Sequence, residues 1–109
     1  MIGAYSFACK ESSTDALCAR LNAESGWQWH VRDSYWYGDY LACRPFEGVS
    51  IRIFEFSLEG GYREGGYWRD ADVRIGDACT TPMRVIDEAF RAALARIGAY
   101  TVKEIEPFD

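Results

Sequence analysis

The sequence predicts an α+β fold, with two helices packed on one face of a mainly antiparallel sheet of about five to six strands. Two segments repeat apolar residues at steps of three and four, which is typical of amphipathic helices. Six other segments alternate apolar and polar residues or are rich in aromatic residues, which favours strands. Their order, β-α-β-β-β-β-α-β, is compatible with a ferredoxin-like or related arrangement that carries an extra hairpin. The chain has 109 residues, which suits a single α+β domain over residues 1–109.

The chain starts with a strand followed by a helix. Residues 2–9 alternate larger and smaller side chains, and we expect the smaller ones to lie beneath a helix. Ser12 and Asp15 have the spacing of a capping box, so a helix is predicted from there to about Glu24. Gly26 suits the C-terminal cap of this helix, because glycine readily adopts the left-handed backbone region.

Two aromatic strands come next. Residues 27–32 alternate strictly, and residues 35–43 form a second strand. Asp33 and Ser34 suit the turn between them. Gly38 indicates a bulge or a close backbone approach within the second strand. Because aromatic side chains occur on both faces of this pair, two helices cannot bury them all, and either Trp27 and Trp29 or Trp36 and Tyr40 should stay partly exposed.

The run from Ser50 to Leu58 is the clearest inner strand, and the neighbouring segments are expected to pair with it. Its apolar residues alternate with polar ones up to Ile53 and then change parity at Phe54. Either both faces of the sheet are covered there, or a bulge near these two residues returns the apolar side chains to the inner face. We favour the bulge.

A glycine-rich connection, residues 59–66, leads into the next strand. Four glycines suit a wide hairpin, and the segment lacks the following helix that a phosphate-binding loop needs. The strand that follows, residues 67–75, alternates throughout. Asp70, Asp72 and Arg74 share one of its faces, and we expect that face to be solvated.

A second helix and a short strand complete the chain. Thr81 and Pro82 predict the helix start, because threonine caps helices and proline suits the first helical position. Apolar residues recur at steps of three and four within residues 83–97, and Gly98 ends the helix. Residues 100–105 form the last predicted strand.

Composition and charge narrow the function classes. The net charge is −5 and the pI is about 4.8. This charge argues against direct binding of nucleic acid, whose phosphates require lysine and arginine, and it favours either basic partners or simple solubility. No apolar run approaches the roughly 20 residues of a membrane span. The N-terminus lacks the positive region and apolar core of a signal peptide, so we expect a cytoplasmic protein.

Cysteine and histidine offer no clear reactive site. Cys9, Cys18, Cys43 and Cys79 are widely spaced without a CxxC pair, and we expect free thiols in a reducing compartment. If the protein were exported, three pairings into two disulfides would be possible. His30 could join a cysteine in a catalytic pair or a zinc site, but the spacing supports neither. No cofactor or metal is predicted.

The leading functional hypothesis is a protein-binding module. One version is an inhibitor or immunity-type protein that neutralises a basic effector such as a nuclease. Acidic residues would steer association, and aromatic residues would anchor the complex. The expected partner contacts are Trp36, Tyr37, Asp39, Asp70 and Asp72. No catalytic motif stands out, which favours a role without enzymatic activity.

The alternative hypothesis is a small-molecule-binding protein or an enzyme with a pocket between the sheet and the helices. Trp27, Trp29 and Tyr40 would line that pocket. A deep apolar pocket would favour this alternative, whereas a flat, acidic and aromatic surface would favour the protein binder. A homodimer through an exposed sheet face or an edge strand is compatible with either function.

Overall fold

The computed structural model has one sheet and two helices, which confirms the predicted α+β class and element order. It describes residues 2–36, 38–55, 57, 62–63 and 66–107. The elements are β1 (Ile2–Cys9), α1 (Thr14–Glu24), β2 (His30–Ser34), β3 (Gly38–Cys43), β4 (Val49–Phe54), β5 (Tyr62–Arg63), β6 (Gly66–Ile75), α2 (Met83–Arg96) and β7 (Tyr100–Ile105). The two-residue β5 is an addition to the predicted order.

All strand pairs in the sheet are antiparallel. The strand order is β2-β3-β4-β6-β1-β7, and β5 pairs with β6. β6 is therefore an inner strand between β4 and β1, whereas β2 and β7 lie at the edges. α2 joins β6 to β7, which run parallel to each other on either side of β1. The more specific ferredoxin-like arrangement stays a prediction.

Both helices pack on one face of the sheet, which we call the helix face, and the opposite face is the open face. α1 starts after Ser13, one residue beyond the predicted cap, and the Oγ of Ser13 accepts a hydrogen bond from the backbone N–H of Ala16 at 3.0 Å. α2 follows Pro82, which takes the cap position itself. The core between the layers contains Tyr5, Phe7, Leu17, Leu21, Leu41, Ile51, Ile53, Val73, Ile86, Phe90 and Leu94.

The larger side chains of β1 point toward the helices, so the prediction that its small side chains lie beneath a helix is wrong. Tyr5 packs edge-on against Phe90 of α2, with ring centroids 5.2 Å apart, and its hydroxyl donates to Asp87 at 2.6 Å. Large side chains fill the gap between a sheet and a helix layer, which alanine and serine would leave empty. The small residues lie on the open face, where Ala8 is opposite Trp68.

β4 contains no bulge, so that prediction is also wrong. Its pairing with β3 and β6 proceeds without a register shift, and the strand ends at Phe54. Phe54 points to the open face and is still buried, because Tyr40 lies beside it and the Arg52 guanidinium lies over its ring at 5.0 Å. Both faces of the sheet are thus covered at this point. Phe56 and Leu58 lie outside the described residues.

β2 begins three residues later than predicted, because Trp29 leaves the sheet for the core. Asn22 of α1 pairs with both main-chain groups of Trp29: its Oδ1 accepts from the backbone N–H at 2.6 Å, and its Nδ2 donates to the carbonyl at 3.1 Å. The indole Nε1–H donates to the Ser25 hydroxyl at 3.0 Å. Every polar group of this buried tryptophan is thereby satisfied without a strand partner.

A glycine fixes the contact between two loops at one end of the sheet. Gly48 has a positive φ of 75°, and a Cβ at this position would collide with the backbone of Ala78 and Cys79. The backbone N–H of Gly76 donates to the carbonyl of Gly48 at 2.8 Å. Only glycine satisfies both the backbone conformation and the close approach here.

Candidate functional site

The turn between β2 and β3 presents two exposed aromatic rings. We call the described residues Asp33 to Trp36, Gly38 and Asp39 the hairpin tip. Tyr35 is 92% exposed and Trp36 is 82% exposed, and their rings meet edge-on with centroids 5.0 Å apart. The backbone N–H of Trp36 donates to the Ser34 hydroxyl at 3.2 Å, which holds the turn. Large aromatic surface is seldom left in water without a binding role.

Two carboxylates flank these rings. Asp33 and Asp39 lie directly opposite each other in the β2–β3 register, and both side chains are exposed. Like charges at facing positions destabilise a strand pair. Among the described residues, none forms an ion pair with either carboxylate. The hairpin tip therefore keeps an unfavourable acidic pair beside exposed aromatic rings.

Asp70 and Asp72 occupy a very different environment from the one expected. They are 3% and 0% exposed, so the expectation of a solvated strand face is wrong. Asp72 accepts two hydrogen bonds from Arg52, at 3.0 and 2.5 Å, and one from Arg74 at 3.4 Å. Asp70 accepts a hydrogen bond from the Ser57 hydroxyl at 2.8 Å. β6 is an inner strand, and side chains of its neighbours close over both carboxylates.

A shallow depression, which we call the sheet groove, lies on the open face over β2, β3 and β4. Its volume is about 690 Å³. Ala42 forms its floor, with His30 opposite on one side and Arg52 opposite on the other. Alanine is small and its two neighbours are long, so their side chains flank a gap above Ala42. The lining comprises Gly26, Trp27, Gln28, His30, Arg32, Tyr40, Ala42, Cys43, Arg44, Pro45, Ser50 and Arg52.

Of the three aromatic residues predicted to line a pocket between the sheet and the helices, Trp27 and Trp29 contact each other, with ring centroids 6.3 Å apart, and with Asn22 of α1 they border an open depression of about 630 Å³. Trp29 lies in the core, where it contributes to the packing that fills the space between the sheet and the helices. Tyr40 lies on the open face and lines the sheet groove. Trp27, which precedes β2, borders the same groove but also packs against the core and makes an edge-on contact with Phe46, with centroids 6.1 Å apart. Trp27 therefore borders both depressions, whereas Trp29 and Tyr40 each border one.

The cysteines are free thiols, and three of them are poorly suited to nucleophilic chemistry. Burial raises the pKa of Cys43 to about 12 and also raises the pKa of Cys9. Burial and the nearby Asp15 carboxylate raise the pKa of Cys18. A thiol with a raised pKa holds its proton at neutral pH and attacks poorly. His30 and Cys43 point to opposite faces of the sheet, so they form no catalytic pair.

The basic character of the sheet groove is the functional feature that sequence reasoning missed. Arg32, Arg44 and Arg52 come from three segments that are separate in the chain. Their common signal is parity: Arg32 and Arg52 lie two residues from another open-face position on their strands, and Arg44 follows the end of β3, two residues after Ala42. Without the strand order, nothing in the sequence shows that these positions are neighbours.

The chain matches no protein-family model and no curated protein sequence. Within the described residues, no group of three or more His, Cys, Asp or Glu side chains is placed to hold a metal ion. No helix in that same part of the chain is long and apolar enough to cross a membrane. The hairpin tip and the sheet groove are the two surfaces whose chemistry suggests a ligand.

Proposed function

We propose that this protein is a small cytoplasmic protein-binding module that recognises a basic partner through its hairpin tip. The observation that carries the proposal is the exposed pair of Tyr35 and Trp36, flanked by two carboxylates for which the described part of the chain supplies no ion-pair partner. Tyrosine and tryptophan are enriched at the centres of protein interfaces, where their rings bury large areas. A basic partner would also relieve the repulsion between Asp33 and Asp39.

The proposed contact surface differs from the sequence-based set. Trp36 and Asp39 belong to it, and Tyr37 stays a predicted member because it lies outside the described residues. Tyr35 and Asp33 join it because they are exposed at the same tip. Asp70 and Asp72 are left out, because they are buried and already bonded to side chains of this chain.

Each kind of residue has a separate role in this binding mechanism. The carboxylates of Asp33 and Asp39 attract a positively charged surface over several ångströms and raise the association rate. Desolvation of Tyr35 and Trp36 then slows dissociation. An inhibitor or immunity-type protein that blocks a basic effector would need both properties, since it must bind quickly and stay bound. A nuclease is one such effector.

The test compares the proteins captured from a lysate by the wild type with those captured by two variants. The double variant Trp36→Ala, Asp39→Asn removes one ring and one charge from the hairpin tip. Glu88→Gln removes one exposed charge from α2 and is the matched control. We expect a basic protein that the wild type and the control retain at low salt and the double variant loses. The purified pair should then bind about 30-fold more weakly when Trp36 is alanine.

Two outcomes would contradict the proposal. A partner held equally by the wild type and the double variant would place the interface elsewhere on the molecule. Light scattering supplies the second outcome: a homodimer that dissociates on the Trp36→Ala substitution would show that the hairpin tip binds a second copy of the chain. Either result would remove the basic partner as the ligand of this surface.

A further inference from the structure

The sheet groove carries more positive charge than the structure neutralises. The exposed side chains of Arg32 and Arg44 have no ion-pair partner among the described residues. Arg74 lies beside the groove in an adjoining depression that also contains Arg44 and Ser50. Its side chain is 41% exposed and touches Asp72 at 3.4 Å. Asp72 can neutralise only one of the two arginines that it contacts.

The positive charge of the groove contrasts with the acidic composition of the whole chain. The chain has a net charge of −5, yet among the described residues none of those lining either depression is acidic. Arg32, Arg44 and Arg52 line the groove and Arg74 lies in the adjoining depression, whereas the buried carboxylate of Asp72 contacts only Arg52 and Arg74. Clustered like charges repel each other, so an unliganded groove of this kind is electrostatically unfavourable. A bound anion would remove that repulsion.

The shape of the groove limits the size of the anion. A volume of about 690 Å³ lies within the range of small-molecule sites. Tyr40 and Trp27 give the groove aromatic walls on which a planar ring can stack. The small side chain of Ala42 leaves room between those walls and Arg52.

We infer that the sheet groove binds a phosphate-bearing small molecule with a planar ring, of the nucleoside monophosphate class. Guanidinium groups match phosphate oxygens in a two-point geometry, and two arginines without an ion-pair partner in the described structure, Arg32 and Arg44, suit a phosphate dianion better than a single carboxylate. The aromatic walls would receive the base. A nucleic acid chain fits less well, because a longer polyanion would extend along the hairpin toward Asp33 and Asp39.

The first test is isothermal titration calorimetry of the wild type with adenosine monophosphate, adenosine, inorganic phosphate and succinate. We expect adenosine monophosphate to bind more tightly than the other three compounds, because only it offers both a phosphate and a ring. Arg44→Gln should weaken this binding about tenfold. Arg84→Gln, which removes an exposed arginine from α2 on the opposite side of the sheet, should leave it unchanged.

The second test fills the groove without changing its charge. The side chain of Ala42 points out of the sheet, so Ala42→Phe should occupy the floor of the groove and leave the core intact. We expect adenosine monophosphate binding to be lost while the melting temperature stays within a few degrees of the wild type. Trp36→Ala should not alter this binding, which separates the groove from the proposed partner surface.

Several results would overturn the inference. Absence of adenosine monophosphate binding at millimolar concentration would do so, as would binding that neither Arg44→Gln nor Ala42→Phe affects. Tighter binding of succinate would assign the groove to carboxylates. Tighter binding of a ten-nucleotide single-stranded RNA, lost in Ala42→Phe, would assign it to nucleic acid.

Discussion

Asp72 on β6 and Asp39 on β3 show how position within one sheet decides what a carboxylate can do. Asp72 is fully buried and is held by Arg52 through two hydrogen bonds. Asp39 is exposed and faces another aspartate across the hairpin. The first carboxylate is occupied by its own chain, so it stabilises the fold. The second has no ion-pair partner in the described structure, so it is available to another molecule.

The difference follows from the neighbours that each strand has. β6 lies between β4 and β1, and the long side chains of Arg52 on β4 and Arg74 on β6 itself reach over Asp72. The hairpin of β2 and β3 lies at the edge of the sheet, and no strand of the described residues lies beyond its tip. A carboxylate on an inner strand therefore needs an internal cation, whereas one at an edge can stay hydrated. The position of a strand within the sheet thus decides whether its aspartate is buried and paired within the fold or exposed to solvent.

The largest expected effect is on the buried carboxylate. Asp72→Asn should lower the free energy of unfolding by about 3 kcal/mol, because the neutral amide leaves two guanidinium groups without their counterion. Urea denaturation at neutral pH measures this loss. Asp39→Asn is the matched control and should change stability by less than about 0.5 kcal/mol. Equal losses in both variants would show that burial does not separate the two carboxylates.

The two arginines that contact Asp72 should differ in a smaller but measurable way. Arg52→Gln should cost about 1.5 kcal/mol, since this side chain is only 18% exposed, makes both of the shorter bonds to Asp72 and covers the Phe54 ring. Arg74→Gln should cost about 0.5 kcal/mol, because its longer bond is more exposed to solvent. Urea denaturation of the two variants gives the order. The reverse order would mean that Arg74 is the principal counterion.

The smallest expected effect is a gain in stability at the hairpin tip. Asp33→Asn removes one member of the facing acidic pair and should raise the free energy of unfolding by about 0.3 kcal/mol. The gain should shrink in 1 M salt, where exposed charges are screened within about 3 Å. Thermal unfolding at both salt concentrations measures it. A loss of stability at low salt would reveal a favourable role for Asp33 within the fold.

Secondary structure was predictable wherever a pattern depends on neighbours along the chain. α2 is the clearest case, because its apolar residues recur at helical steps and Gly98 follows its end. The predicted bounds of β1 and β7, residues 2–9 and 100–105, also equal the observed ones. The chain also indicated correctly that some of the hairpin aromatics stay exposed, as Trp36 does.

The sequence does not predict in the same way which side chains are buried or which residues of different strands contact each other. Alternation assigned Asp72 to the face opposite Val73, but it could not show that Arg52 from another strand closes over it. Trp29 continues a strand-like pattern in the sequence, yet the side chain of Asn22 takes its main-chain bonds and directs it into the core. Each outcome depends on a contact between distant positions, which one sequence does not reveal.

The contact at Gly48 bears on how a ligand would meet the sheet groove. Gly48 lies between Arg44 and the start of β4, and its carbonyl is tied to Gly76, close to Arg74. The backbone segments that carry Arg44 and Arg74 are thus already held together by this contact before any ligand binds. An anion that reaches them has less main chain to immobilise, and a smaller entropic penalty leaves more of the contact energy as affinity.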